Sequence, residues 1–168
     1  MLSKVTQLGN KEKPCFWILK SEPSTYSIDH IATDKNQTTV WEGVRNYQAR
    51  NFLRRMKKGD LAFFYHSSCA TPAIVGIVEI VQAGLVDTTA FDPTSPYYDP
   101  KSTPTSPRWF MVKVKLKEKF SAPLPLQALR ENPKLSTLIL LRKGNRLSVI
   151  PLTPLEWRNI LSMRHSDQ

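Results

Sequence analysis

The apolar residues of this chain come in short bursts, and that brevity constrains the fold more than any other feature. Phe16-Trp-Ile-Leu19, Val40-Trp41, the alternating stretch 60–67, the run from Ala73 to Val81 and the alternation from Trp109 to Phe120 are each cut off by proline, glycine or a polar cluster. No run approaches the ~20 apolar residues that span a bilayer, and no heptad pattern predicts a coiled coil. Short apolar segments bounded by turn residues read as strands. Five or six such strands with small helices between them predict an α+β chain, a β-barrel decorated by short helices. At 168 residues this is one domain, large enough to bury a core without covalent staples. There is no internal repeat.

Taken in order, residues 1–13 read as a loose polar arm, 14–163 as the folded domain and 164–168 as a polar tail. The first residues lack an apolar stretch, so no signal peptide is expected. The strand at Phe16–Leu19 should stop before Pro23, which has no N–H to donate. Lys20 and Glu22 then stand two apart on one face of the strand's end. They either edge a site or pair with each other at the surface. Ser27 is a cap for a short helix through Ile31, followed by a polar loop over 33–39. Asn46 opens a helix to about Lys57, closed by Gly59, with Phe52, Leu53 and Met56 as its apolar face.

In 60–67, Leu61, Phe63 and Tyr65 alternate with Ala62, Phe64 and His66, as in a strand buried on both faces. Gly76 marks a bulge or a close approach in the next strand. The long loop 87–108 is rich in proline, and loops of that length are functional or disordered. Tyr97 and Tyr98 argue for function, because disordered tracts are poor in aromatics. Lys113, Lys115 and Lys117 line the outer face of the strand that follows, where they discourage edge pairing. A short helix is expected over Leu126–Glu131, an apolar run of unassigned type over Leu135–Leu141, and a last strand over Arg146–Ile150. Thr153 with Glu156 forms a capping box, Pro154 takes the first helical position, and Leu155, Ile160 and Leu161 are expected to face inward.

The net charge is +10 and the pI near 9.8. The basic residues are spread over Arg45 to Lys58, Lys113 to Lys119 and Arg142 to Arg146, so a basic surface on a folded domain is expected. Nucleic acid is the first partner this suggests and acidic lipid the second; the alternative is a basic protein whose charge serves solubility. Cys15 and Cys69 are far apart with no ligand spacing, and two reduced thiols are expected. No phosphate loop, dinucleotide fingerprint, zinc spacing or EF-hand is present, so no cofactor or metal is expected. A monomer without membrane association is expected, cytoplasmic, or nuclear in a eukaryote.

One stretch draws these signals together. In Trp41-Glu-Gly-Val-Arg-Asn-Tyr-Gln-Ala-Arg-Asn51 a flat ring is followed by a glycine, a cation and an amide at the start of a helix. Gly43 marks a sharp turn or a place where something approaches the backbone. The stretch is either a ligand-facing turn at a helix N-terminus or a strand–turn–helix connection whose tryptophan fills the core. Tyr65-His-Ser-Ser68 ends a strand, but no acid stands beside His66 in sequence and no nucleophile elbow is present.

Phe16-Trp-Ile-Leu-Lys-Ser-Glu-Pro23, the Trp41–Asn51 stretch, Gly59-Asp60 leading to Phe64-Tyr-His-Ser67, Tyr97-Tyr-Asp-Pro100 before Pro107-Arg-Trp109, and Arg146-Leu-Ser-Val149 with Pro151 together resemble the EVE domain family. The likeness runs in order from about Phe16 to Leu161. It implies a PUA-like fold, a mostly closed β-barrel grouped with the YTH and ASCH domains, and a role in reading modified bases in nucleic acid. By likeness to YTH readers Trp41 is one wall of an aromatic cage and Trp109 is structural. Where those readers carry a second tryptophan, this chain has Tyr97 and Tyr98.

The implied base pocket is Lys20, Ser21, Glu22, Pro23, Trp41, Gly43, Val44, Arg45, Asn46, Tyr65, His66, Ser67, Tyr97, Tyr98 and Asp99, with Lys20, Arg45 and Arg146 holding phosphates. Stacking plus edge hydrogen bonds suits a base taken out of a helix. The base expected first is a modified cytosine in DNA, with RNA as the alternative. On this reading no residue is catalytic, and Trp41→Ala is expected to remove base preference while leaving the fold largely intact. Two rivals remain: an ASCH-like hydrolase of modified nucleosides using Lys20, Ser21, Glu22 and His66, and a basic adaptor domain without base recognition.

Overall fold

The computed structural model describes residues 14–164; the arm expected over 1–13 and the tail from 165 onward lie outside the described residues. Among the described residues six strands and four α-helices follow in the order β1 (Phe16–Ser21), α1 (Ile28–Thr33), β2 (Thr38–Trp41), α2 (Tyr47–Arg55), β3 (Leu61–His66), β4 (Ala73–Val86), β5 (Phe110–Pro125), α3 (Leu126–Glu131), β6 (Val149–Leu152) and α4 (Pro154–Met163). The strands form one sheet ordered β2-β5-β4-β3-β1-β6. Only β1 and β3 run parallel; the other neighbours are antiparallel.

Side-chain alternation sends residues to two cores, one on each face. Trp17 and Leu19 of β1, Ala62 and Phe64 of β3, and Val112 and Val114 of β5 join Ile28, Ile31 and Leu53 on the inner face. Ile18, Phe63 and Tyr65 point the other way, into a cluster closed by Leu129, Trp157 and Ile160. The edge strands β2 and β6 do not hydrogen-bond to each other. Side chains bridge that seam instead: Trp41 of β2 and Val149 of β6 share the inner core, and α2 lies against both β5 and β6. The fold is α+β and PUA-like, as the resemblance implies, with the barrel completed by packing across one seam.

Local signals placed most boundaries. Ser27 caps α1, its Oγ accepting from the His30 N–H. Asn46 caps α2 through Ala49, and the Thr153–Glu156 box opens α4. At Gly76 the β3–β4–β5 register shifts, and an added Cβ would press on the Glu118 carbonyl and lie 2.5 Å from Ile28 Cδ1.

Other expectations need correction. Helix α2 ends at Arg55, because Met56 turns to an extended backbone and is buried; Gly59, with φ of 96°, serves the turn into β3 instead. The run over 135–141 forms parts of two 3-10 turns, Pro133–Leu135 and Ile139–Leu141. Strand β6 starts at Val149, not Arg146. On α4, Leu155 is 59% exposed, while Glu156, Trp157 and Ile160 face inward. Leu155 lies two positions before Trp157, which is the opposite side of a helix. Among the described residues no helix is long and apolar enough to cross a membrane.

Candidate functional site

A cleft of about 590 Å³ opens at the C-terminal ends of β1 and β2, two strands that do not pair. That volume lies within the range of small-molecule sites. Lys20, Ser21 and Glu22 form one wall, the turn Trp41–Asn46 the other, and Tyr97 reaches in from the long loop; Tyr26 and Ser148 complete it.

The turn and the loop are locked together by a buried carboxylate. Asp87 is fully buried. Its Oδ2 accepts from the Gly43 N–H at 2.8 Å and from Arg45 at 2.9 Å. Its Oδ1 accepts from the Thr89 N–H and hydroxyl. Burial alone would raise the Asp87 pKa, but the hydrogen bonds from Thr89, Gly43 and Arg45 and the Arg45 charge outweigh it and hold the carboxyl below the usual range. Arg45 donates to the Tyr97 carbonyl through Nε at 3.0 Å and through the second guanidinium nitrogen at 2.7 Å, and further to Val44 O and Thr89 Oγ1. Those bonds with the Asp87 contact use all five guanidinium N–H groups.

Gly43 has a φ of 81°, in the left-handed region. A Cβ there would lie 2.6 Å from the Tyr97 ring, so the tyrosine packs directly on the glycine backbone. Arg45 is therefore a positioning residue for Tyr97. All five of its donors are used within the protein, which leaves none for the phosphate contact expected of it.

The other expected residues divide. Trp41 lines the cleft yet is only 7% exposed, meeting Phe64 edge-on at 5.3 Å. It belongs to the inner core as well as to the cleft wall, so Trp41→Ala would open both, contrary to expectation. Lys20 is half-buried with its ammonium 5.9 Å from the Tyr65 ring, and burial lowers its pKa. Ser21 Oγ donates to the Tyr26 carbonyl at 2.6 Å. Asn46 offers the cleft its amide N–H groups, because its Oδ1 accepts from Ala49.

Pro23, Tyr65, His66, Ser67, Tyr98, Asp99 and Arg146 lie outside the cleft lining. Tyr65 faces the opposite core. His66 accepts the Ile28 N–H on Nε2 at 3.1 Å, anchoring α1, and burial lowers its pKa. The Ser67 N–H donates to the Ser21 carbonyl. Asp99 accepts from Trp109 Nε1 at 2.7 Å, so Trp109, stacked on Tyr47, has the structural role the resemblance implies. Tyr98 and Arg146 are exposed.

Sequence reasoning missed Thr25, Tyr26, Thr39, Val40, Glu42 and Ser148. Tyr26 arrives because the Glu22 carbonyl accepts from the N–H groups of Thr25 and Tyr26, folding the chain back after β1. Its hydroxyl donates to Asp34, and burial together with that carboxylate pushes its pKa up to about 12. Ser148 is brought in by the Lys20 N–H bond to its carbonyl at 2.9 Å, which continues the β1–β6 ladder. The acidic-proline turn after β1 was a readable signal for Tyr26; nothing local marked Ser148. Among the described residues no group of three His, Cys, Asp or Glu side chains could hold a metal.

The chain is thus a PUA-like domain with a cleft, lined in part by Tyr26, Trp41 and Tyr97, at the ends of β1 and β2. The EVE domain model matches residues 15–163, and this chain belongs to the EVE domain family. It is 43% identical over 181 residues to thymocyte nuclear protein 1 of Gallus gallus, covering 96% of this chain and 74% of that protein. Among solved structures, the human THYN1 protein in complex with 5-methylcytosine-containing DNA superposes with a TM-score of 0.87 at 38% identity, covering 92% of this chain and 99% of that one. The YTH domain of the Zygosaccharomyces rouxii MRB1 protein, in complex with N6-methyladenosine RNA, has a TM-score of 0.51 at 12% identity, covering 94% and 90% of the two chains, a likeness of fold.

Proposed function

We propose that this chain binds nucleic acid and reads a modified nucleobase in the cleft between β1 and β2, a modified cytosine in DNA first and RNA second. The observation that carries the reading is the human relative's complex with 5-methylcytosine-containing DNA at 38% identity over nearly its whole length. The cleft supports it with a volume of about 590 Å³ and a tyrosine clamped at its mouth. A base entering between the walls stacks on Tyr97, a contact worth about 1–3 kcal/mol per base, and meets Trp41 in the cleft wall. Lys20 at the rim and Arg146 on the exposed loop before β6 meet the phosphates, within the surface of a chain whose net charge is +10.

The hydrolase alternative is disfavoured by two commitments: Ser21 Oγ donates to a backbone carbonyl, and the His66 lone pair accepts a backbone N–H. The test is binding of the purified chain to matched oligonucleotides that differ in one modified base, at two salt concentrations. A preference that survives the higher salt is expected. Equal, salt-sensitive binding to every oligonucleotide would reduce the activity to the basic surface and overturn the proposal.

A further inference from the structure

Several polar groups in the cleft already have partners. All five Arg45 donors, the Ser21 hydroxyl, the Tyr26 hydroxyl and the Asn46 carbonyl oxygen are bonded within the protein. Glu42 differs. It lines the cleft between Trp41 and Gly43, and its carboxylate has no hydrogen-bond or salt-bridge partner among the described residues. Its backbone is held in place, since the next N–H, that of Gly43, is bonded to buried Asp87. A carboxylate is acceptor-only, and in the mouth of a cleft it repels phosphate. In a chain with ten excess positive charges, such a group suits a ligand atom that donates hydrogen bonds and carries no negative charge. On a base entering edge-first, that atom is an exocyclic amine.

We infer that Glu42 is the specificity-determining residue of the cleft, accepting a hydrogen bond from the 4-amino group of a cytosine-type base and thereby excluding thymine and uracil. The inference rests on the base-reading proposal above. It explains how the site would tell 5-methylcytosine from thymine, which carries the same methyl group on the same ring face. The walls see the two alike. Only the edge differs: cytosine offers an amine beside an acceptor nitrogen, thymine a carbonyl beside an N–H. Partial burial, and to a lesser degree the charge of Asp87, push the Glu42 pKa up, against the opposing pull of Arg45.

The test uses short single-stranded oligonucleotides carrying one central cytosine, 5-methylcytosine or thymine, so that differences in base pairing do not enter. The wild-type chain is expected to prefer 5-methylcytosine to thymine by about tenfold, the size of one good edge pair. In Glu42→Gln that ratio should fall toward one, because an amide donates and accepts and suits either edge. Glu42→Ala should lower affinity for 5-methylcytosine with little change for thymine. Matched thermal unfolding of the variants checks the fold, which the exposed position of Glu42 should leave intact. An unchanged ratio in Glu42→Gln, with wild type still preferring 5-methylcytosine to cytosine, overturns the role of Glu42 and leaves base reading standing. Uniformly tighter binding of both variants to every oligonucleotide also overturns it, reducing Glu42 to a charge that repels phosphate. Wild-type binding that ignores the central base overturns the base-reading proposal and this inference with it.

Discussion

On the face of the sheet covered by α4, Phe63 lies flat against Trp157 with ring centroids 4.0 Å apart, and Phe16 stacks on the same indole at 4.6 Å. On the other face Trp41 meets Phe64 edge-on, and the space beyond it opens into the cleft. Both regions are rich in aromatics, so aromatic content does not mark the site. What separates them is the buried polar clamp. Asp87 and Arg45 hold the long loop on the Gly43 turn, and a glycine without a Cβ lets Tyr97 sit against the backbone. The closed face is held mainly by burial, while the open face is held in shape by directed bonds.

Mutation should separate these two modes. The largest effect on stability is expected from Phe63→Ala, where a fully buried ring is removed: a loss of about 4 kcal/mol in urea unfolding. The folded fraction should keep its preference for a modified base over its unmodified counterpart. Asp87→Asn comes next. It leaves the Arg45 guanidinium without its counter-charge in a mostly buried site, at a cost of about 2–3 kcal/mol, and it should remove the base preference as well.

The pH dependence of that pair is a sharper check. The folded-state pKa of Asp87 is depressed. Its contribution is therefore fully present above the unfolded carboxyl value of about 4 and is lost as pH falls through the folded value. Unfolding free energies of wild type and Asp87→Asn should differ at pH 7 and converge below pH ~4. A gap that persists at low pH would mean that ionisation of Asp87 contributes nothing.

Gly43→Ala should cost less stability, about 1–2 kcal/mol for a side chain at positive φ. Its effect on base preference should be larger than that of Phe63→Ala, since the new Cβ displaces the Tyr97 ring. The smallest effect is expected for Leu155→Gln, within about 0.5 kcal/mol and with unchanged binding, because that leucine is in solvent.

Features written locally were legible in the sequence. Caps at Ser27, Asn46 and Thr153, the close approach at Gly76 and the two-faced alternation of β3 depend on neighbours a few residues away. The family motifs also pointed to much of the cleft lining, Lys20–Glu22, Trp41, Gly43–Asn46 and Tyr97, but not to Glu42. What escaped depends on long-range docking. Arg45 reads as a free cation until the loop carrying Asp87 and Tyr97, some forty to fifty residues away, lands on it. Ser148 reaches the cleft only through the β1–β6 register. His66 reads as a reactive group until α1 turns its first N–H onto the ring. On α4 the inward positions Ile160 and Leu161 are as expected, and Leu155 alone is misplaced, because Trp157 takes the buried side two residues on.

The most direct test of the central claim is amide-resolved NMR titration of the chain with two oligonucleotides identical except for one 5-methylcytosine in place of cytosine. Shifts are expected to concentrate at Glu42, Gly43, Val44 and Tyr97, to saturate at lower concentration with the methylated strand, and to spare the Phe63–Trp157 face. Identical titrations for both strands, with shifts confined to the lysines of β5, would contradict the central claim.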